Sequence, residues 1–188
     1  MEQLITVFQA IVPLTDALEL RLRKTVRRDE FRRGHRLVRE GQVCDRLYFI
    51  ERGILRLYVK HNNKELNNWF MLAGDIATSV TSFFDQSRSL EIMEVLKNCV
   101  LWSISRKELE DIYKEFPEFR TVALRIMEKY YSQDNRQKIY LMFKDAGMHY
   151  KYLLMAHPRL VREIPHKHLA SYMGITPQSL LTIRKNQK

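Results

Sequence analysis

The sequence predicts an α+β protein: an antiparallel β domain with flanking helices, then one long helix, then a small basic helical domain. Three observations support this prediction. Short aliphatic and aromatic segments separated by glycines fill residues 29–104. A stretch without proline or glycine follows over residues 118–144. Residues 164–188 have the pattern of two short helices joined by a turn at Gly174.

Composition limits the class of protein. The chain has 188 residues, of which 45% are hydrophobic and 29% are charged, so it is globular and can form one large or two small domains. Its apolar runs are too short to span a bilayer, and residues 1–20 lack the charged start and apolar core of a signal peptide. Cys44 and Cys99 fit a reducing compartment and are expected to be buried as small hydrophobic residues. We therefore expect a cytoplasmic protein.

The N-terminal residues 2–28 are expected to be helical. Leu4, Ile5 and Phe8 recur at helical spacing, and a second helix is expected over residues 15–28. Its many basic side chains are interpreted as the solvated face of a packing helix.

Residues 29–104 are predicted to form an antiparallel sandwich or barrel, with no helix of normal length between the strands. Glycines mark the turns, and alternation in ILRLYVK indicates that Leu57 and Val59 point inward. The predicted strands are residues 35–39, 46–51, 54–60, 66–72, 90–96 and 100–104.

Helix is predicted again after the strands. Residues 105–108 match a capping box, which predicts a helix start at Ser105. The long helix over residues 118–144 has about 27 residues and a length of roughly 40 Å. Its apolar residues recur at spacings of four and three, as in a coiled coil, and the stripe becomes polar at Gln133 and Gln137. This pattern favours a dimer interface, and the alternative is a helix that packs on its own domain. The predicted interface residues are Phe119, Ala123, Ile126 and Tyr130.

Residues 164–188 are predicted to form a helix-turn-helix. Leu169, Ala170 and Met173 give the first helix one apolar face, and Gly174 supplies the turn, where positive φ is often needed. The alternative is a plain helical hairpin. In a helix-turn-helix the second helix enters the DNA major groove and presents its outward polar face to the bases and phosphates. The residues expected at DNA are Lys167, Thr176, Gln178, Ser179, Thr182, Arg184, Lys185 and Lys188.

The charge distribution supports DNA as the partner. Residues 120–188 carry 13 Lys and Arg against 4 Asp and Glu, a net charge of +9, whereas residues 1–119 carry 19 against 18, a net charge of +1. Nearly all of the positive excess therefore lies beside the helix pair. A basic domain of this kind attracts phosphates.

Along essentially the whole chain, these residues resemble the Crp/Fnr family of bacterial transcription regulators. The segment GQVCDRLYFIERGILRLYV (41–59) resembles the opening of the family's cyclic-nucleotide-binding-type jelly roll. MLAGDIATSVTSFF (71–84) lies where the family carries its phosphate-binding turn, and EFPEF (115–119) precedes its dimerisation helix. HKHLASYMGITPQSLLTIRK (166–185) resembles its helix-turn-helix.

The resemblance implies a non-enzymatic homodimer that binds a two-fold symmetric site in double-stranded DNA and has RNA polymerase as a further partner. It also implies three functional parts. These are a cyclic-nucleotide-binding-like sensor domain (1–117), a dimerisation helix (118–144) and a helix-turn-helix DNA-binding domain (145–188).

Departures from the family pattern concern the effector. Members that bind cyclic nucleotides carry a Gly-Glu pair for the ribose and an Arg-Ser pair for the phosphate. Here Thr78 and Ser79 stand at the first pair, so the carboxylate is missing, while Arg88 and Ser89 stand at the second. These four residues are the expected effector pocket, without cyclic AMP binding of the usual kind and without a cofactor. Whether the pocket binds another small molecule or no ligand is left open by the sequence.

Other chemistries are disfavoured by counting ligands. The usual iron–sulfur cluster needs four thiolates, and one chain supplies two. An enzyme on a jelly roll would need clustered ligands, whereas the β region has only His35 and His61, far apart. The C-terminal histidines, which include His149 and His168, are interpreted as surface or capping residues. Because Thr182 stands where the family usually has a base-reading arginine, a sensor that has lost DNA binding is the second hypothesis.

Overall fold

The computed structural model describes residues 1–186, which form two compact units. The first comprises residues 1–57 and 70–128, and the second comprises residues 58–69 together with the chain from residue 129 onward. The division into functional parts at residues 117/118 and 144/145 stays a prediction.

Two helices open the first unit, and the second of them is shorter than expected. Helix α1 (Glu2–Gln9) buries Leu4, Ile5 and Phe8. Helix α2 (Asp16–Thr25) is capped by the hydroxyl of Thr15, but it ends at Thr25 and not at residue 28. An edge strand follows directly, which the sequence analysis missed because its residues RRDEF are almost all charged and exposed.

Among the described residues, six strands form one sheet with the order β1-β6-β3-β4, in which β2 also pairs with β6 and β5 with β3. The pairs β1/β6, β2/β6 and β3/β5 are antiparallel, as predicted. The strands β3 and β6 are long, and each covers two of the predicted segments. The strands are β1 (Arg27–Phe31), β2 (Arg36–Val38), β3 (Arg46–His61), β4 (Lys64–Leu72), β5 (Ile76–Ala77) and β6 (Ile92–Ser105).

Gly53 allows β3 to continue where a break was predicted. Its φ is +108°, and a Cβ atom added there would lie 2.5 Å from both the carbonyl oxygen of Asn98 and the sulfur of Cys99. Only glycine fits this close approach of two strands.

Two further helices complete the body of the first unit. Helix α3 (Val80–Asp85) has six residues, shorter than a normal helix. Helix α4 (Arg106–Glu115) begins with the predicted capping box between Ser105 and Glu108. Cys44 and Cys99 are buried as expected, and burial raises the pKa of the Cys99 thiol to about 11.

The long helix α5 (Phe119–Phe143) lies close to its predicted bounds, but one interface residue needs correction. Phe119 is 4% exposed and packs edge-on against Phe8 with ring centroids 5.2 Å apart. It belongs to the core of its own chain and is not available to a second one. The most exposed large apolar residues on the first half of the helix are Leu124, Met127 and Tyr131.

In the part of the second unit that the structure describes, four short helices follow α5. They are α6 (Ala146–Ala156), α7 (Pro158–Glu163), α8 (His166–Tyr172) and α9 (Pro177–Asn186). Within residues 1–186, no helix combines the length and apolarity needed to cross a bilayer.

Two histidines of this unit were expected at the surface, and the structure shows otherwise. His149 and His168 are 1% and 8% exposed, so neither is a surface residue. Their ring nitrogens lie near Gln137 and Asn67, whose amides allow burial of the polar imidazole.

Candidate functional site: the helix pair and the effector region

The helices α8 and α9 pack through the apolar faces that the sequence indicates. Leu169 and Ala170 on α8 and Leu180 on α9 are fully buried. Gly174, between the helices, has φ +68°, the left-handed conformation expected of its turn. The arrangement exposes the opposite face of α9.

The start of α9 is fixed by a side-chain cap. The hydroxyl oxygen of Thr176 accepts from the backbone N–H of Ser179 at 3.1 Å. The candidate DNA-binding residues that the structure describes are all exposed, and Lys188 lies outside the described residues. The exposed residues are Lys167, Thr176, Gln178, Ser179, Thr182, Arg184 and Lys185.

Hydroxyl groups on α9 already have partners, whereas its longer polar side chains are exposed. Ser179 Oγ lies 2.8 Å from Thr176 Oγ1, and Thr182 donates to the carbonyl of Gln178 at 3.2 Å. Within the described part of the chain, the side chains of Gln178, Arg184 and Lys185 make no hydrogen bond or ion pair. These three side chains are therefore the groups best placed to bind a ligand.

The tip of the β3–β4 hairpin supports α8, which sequence reasoning missed. Ser171 donates its hydroxyl hydrogen to the carbonyl of Glu65 at 2.9 Å and accepts from the N–H of Asn67 at 3.0 Å. The Asn67 amide also lies 3.5 Å from a ring nitrogen of His168, and both side chains are buried. No local signal identifies this contact, because about a hundred residues separate its two sides.

Gln137 connects α5 to two other helices. Its amide nitrogen donates to the carbonyl of Tyr172 at 3.1 Å, and its oxygen lies 2.8 Å from His149 Nε2. Desolvation lowers the pKa of His149 from 6.5 to about 4, so the ring is neutral near pH 7 and donates to Gln137. The residue that the sequence analysis placed at the polar end of an intermolecular stripe is 5% exposed and acts within its own unit.

The four residues of the expected effector pocket differ in their exposure to solvent. Thr78, Ser79 and Ser89 are buried, whereas Arg88 is exposed. The Thr78 hydroxyl donates to the carbonyl of Arg46 at 3.1 Å. The two serine hydroxyls lie 3.0 Å apart. The structure brings three of the four residues into one region and leaves the arginine at the surface.

A carboxylate that sequence reasoning did not single out lies beside these serines. Ser79 donates to Glu91 Oε2 at 2.9 Å. The Ser89 hydroxyl donates to the backbone carbonyl of the same glutamate and accepts from its backbone N–H. The negative charge of Glu91 repels a phosphate brought to this place. A signal was present in the sequence, since an acidic residue stands two positions after the Arg-Ser pair.

Metal ligation finds no support in the described residues 1–186, where no three His, Cys, Asp or Glu side chains are grouped as they would be around an ion.

Comparisons with known proteins agree with this geometry. Residues 28–116 match the family described as cyclic nucleotide-binding domain. No curated protein matches the chain in sequence.

Solved structures resemble the chain over most of its length. CLP of Xanthomonas campestris, a c-di-GMP-responsive global regulator, is 15% identical with a TM-score of 0.70, over 92% of this chain and 91% of that one. FixK2 of Bradyrhizobium japonicum is 14% identical with a TM-score of 0.74, over 86% and 84%. A protein of Eubacterium rectale, described as a regulator of the Crp/Fnr family, is 16% identical with a TM-score of 0.69, over 92% and 83%.

Proposed function

We propose that this protein is a DNA-binding transcription regulator, since residues 28–116 match the cyclic nucleotide-binding domain family and the fold resembles that of Crp/Fnr regulators. It acts as a non-enzymatic homodimer in the cytoplasm, with RNA polymerase as a further partner. The observation that supports it most is the exposed polar and basic face of α9, whose opposite, apolar face is buried against α8.

Each polar group on that face suits a distinct part of DNA. Gln178, near the start of α9, reads a base edge, since a glutamine amide pairs with adenine N6 and N7. Arg184 and Lys185 in the last turn, and Lys167 on α8, bind phosphates, which position the protein and carry no sequence information. Thr176 and Ser179 mark the helix N-terminus, where backbone N–H groups favour an anion.

The dimer forms through α5. Ala123, Ile126 and Tyr130 are half-buried, and the exposed stripe of Leu124, Met127 and Tyr131 lies beside them on the helix surface. Exposed apolar residues at spacings of three and four on a long helix favour a second helix as their partner.

The sensor domain does not bind cyclic AMP in the usual way. The position of the ribose-binding carboxylate holds Ser79, and the carboxylate of Glu91 lies against that serine where a phosphate would need cations. A ligand at one hundred times its Kd stabilises a protein by about 2.7 kcal/mol. We expect millimolar cyclic AMP or cyclic GMP to leave the melting temperature unchanged, and a rise of several degrees would contradict this part of the proposal.

In vitro selection of DNA on the full chain, repeated at several salt concentrations, tests the regulator. We expect a palindrome whose half-sites lie about one helical turn apart, with affinity that falls steeply as salt rises. Gln178→Ala should relax the preference at one position of each half-site. Lys144→Ala, which removes an exposed cation outside the helix pair, serves as the control and should select the same sequence. If no sequence is enriched, either with or without cell metabolites, the proposal is contradicted.

A second function is favoured by two residues of α9. Thr182 uses its hydroxyl within the helix, and Leu181 is 44% exposed on the side expected to meet the phosphates. A protein of this kind would sense a small molecule without binding DNA specifically. This second function predicts that the protein retains all duplexes weakly and with the same affinity, whatever their sequence.

A further inference from the structure

An exposed apolar surface lies where the end of α5 meets α6, within the second unit. It comprises five side chains, which we call the α5–α6 face: Tyr140, Phe143, Met148, Tyr152 and Met155. Phe143 is 59% and Met155 77% exposed, Met148 is exposed as well, and the two tyrosines are half-buried. None of the five belongs to the helix pair or to the effector region.

Aromatic rings join the two helices into one continuous surface. The rings of Tyr140 on α5 and Tyr152 on α6 are stacked with their centroids 4.4 Å apart. Phe143 extends this pair on α5, with its ring centroid 6.1 Å from that of Tyr140. On α6, Met148 precedes Tyr152 by one helical turn and Met155 follows it by another, so the three side chains lie on the same side of that helix.

The other side of α6 packs inside the unit. His149 and Leu153 are buried, and the ring nitrogen Nε2 of His149 lies 2.8 Å from the side-chain oxygen of Gln137. The helix is therefore fixed with the α5–α6 face outward. An exposed apolar surface on a well-packed helix favours a partner outside the chain.

The α5–α6 face does not continue the stripe proposed for the dimer. Tyr140 follows Tyr131 along the helix by about two and a half turns, so the two tyrosines lie on opposite sides of α5. A helix that packs on the Tyr131 side of α5 therefore does not cover Tyr140.

The charges around the face indicate the chemistry of the partner. Residues 135–162 contain six Lys and Arg but one acidic residue, Asp145, whose carboxylate caps α6. Lys144 directly follows Phe143, and Lys151 lies on the exposed side of α6. Neither lysine forms an ion pair with another described residue. An apolar centre with a basic rim is complementary to an apolar segment with acidic neighbours.

A protein partner suits this face better than nucleic acid or a membrane. The centres of protein interfaces are enriched in tyrosine and methionine, and the flexible methionine side chain adapts to the shape of its partner. A phosphate backbone is bound by cations and not by apolar side chains. A helix that lies in a membrane surface keeps its other side in water, whereas the other side of α6 is buried in the protein.

We propose that the α5–α6 face binds another protein, through an amphipathic segment whose apolar side chains are flanked by aspartate and glutamate. The aromatic rings form the centre of the contact, and the methionines adapt to its shape. Lys144 and Lys151 pair with the acidic rim of the segment. The proposal goes beyond the regulator function and does not depend on it, because it uses no residue of the helix pair.

The test selects random peptides of about 16 residues, enough for four helical turns, by phage display on the full-length protein. Fluorescence anisotropy then measures the affinity of the enriched peptides for the wild type and for Phe143→Ser/Met155→Ser. Met142→Ser is the matched control. Met142 is 77% exposed, like Met155, but it lies on a different side of α5 from Tyr140. Equal midpoints in urea denaturation verify that the variants fold.

We expect the enriched peptides to carry apolar residues at helical spacing with Asp or Glu around them. Phe143→Ser/Met155→Ser should bind them at least about ten-fold more weakly than the wild type, because it removes apolar anchors from the contact. Met142→Ser should bind them like the wild type. Lys144→Glu/Lys151→Glu should weaken binding about three- to ten-fold at low salt, since exposed ion pairs contribute modestly and are screened.

The proposal is overturned if no peptide is enriched, if the enriched peptides lack acidic residues, or if they bind Phe143→Ser/Met155→Ser as tightly as the wild type. Loss of the dimer by this variant in sedimentation velocity would instead assign the face to a second copy of the chain. Binding of the wild type, but not of this variant, to phosphatidylglycerol vesicles would assign the face to a membrane. Both of these outcomes also overturn the proposal, and neither bears on DNA binding.

Discussion

The ring nitrogen Nε2 of His149 lies 2.8 Å from the side-chain oxygen of Gln137, which joins α6 to the long helix inside the second unit. The same glutamine donates to the carbonyl of Tyr172 on α8. Both of its partners are buried polar groups, so loss of the glutamine removes one hydrogen bond from each of them.

Replacement of Gln137 by leucine should therefore destabilise the protein. Two buried groups each lose the hydrogen bond to Gln137, at about 1–3 kcal/mol each. Urea denaturation of Gln137→Leu and of Gln133→Leu, a half-buried glutamine one turn earlier, measures the difference. Equal midpoints for the two variants would show that the buried hydrogen bonds contribute nothing.

Acid should weaken the fold through His149. Because the pKa of its ring is about 4 in the folded protein and near 6.5 when unfolded, the unfolded chain takes up a proton first as the pH falls. The free energy of unfolding should drop between pH 6.5 and pH 4, by at most about 3 kcal/mol, and should not change from this cause above pH 7. His149→Gln keeps a hydrogen-bonding partner for Gln137 but cannot titrate, so its stability should vary less over this range. An identical pH profile would assign the acid sensitivity to other groups.

Gly53→Ala should cost more stability than alanine at another glycine with positive φ. Gly41 has φ +82° with no atom within 4 Å of an added Cβ, so Gly41→Ala carries only the backbone strain, about 1–2 kcal/mol. At Gly53 the added methyl group also collides with Asn98 and Cys99. We expect a loss of more than about 3 kcal/mol in chemical denaturation. Similar losses at the two glycines would mean that the strands separate easily.

Ser171→Ala should loosen the hairpin tip. The serine both donates to the Glu65 carbonyl and accepts from the Asn67 N–H. Its removal should accelerate amide hydrogen exchange at Asn67 about ten-fold or more, since ten-fold corresponds to 1.4 kcal/mol. Ser132→Ala, at an exposed position on α5, is the control and should leave that amide unchanged. Unchanged exchange in both variants would show that other contacts hold the hairpin.

Leu124→Asp should convert the proposed dimer into monomers. Leucine 124 is 57% exposed on α5, and a charge there would be buried unpaired between two helices. Sedimentation velocity measures the change. Leu20→Asp, at a leucine with similar exposure on α2, should stay dimeric. A dimer that survives Leu124→Asp would remove this face of α5 as the interface.

The sequence predicted those elements whose cause is local. The capping box at Ser105, the glycine turn at Gly174 and the apolar face around Leu169 each act within a few residues, and each is confirmed. Strand β1 was missed because its charged residues lie on an exposed edge, where no alternation of buried and exposed positions develops.

The candidate sites were less predictable, because their partners come from far along the chain. The sequence pattern of a helical stripe that includes Gln137 is the same whether the stripe faces a second chain or α6 and α8 of its own chain. Similarly, the sequence places Glu91 near the effector region but cannot say that its carboxylate meets Ser79. The roles of the helix pair, the effector region and α5 stay predictions.

The hairpin tip has a consequence for synthesis of the protein. The bond from Ser171 to the Glu65 carbonyl spans 106 residues. At a translation rate of about 5–20 residues per second, the tip waits on the order of 5–20 s on the ribosome before its partner helix emerges. During that interval Asn67, buried in the finished chain, faces water, and a chain stalled before α8 keeps the tip open to proteases. Cleavage at residues 61–68 would thus distinguish unfinished chains from complete ones.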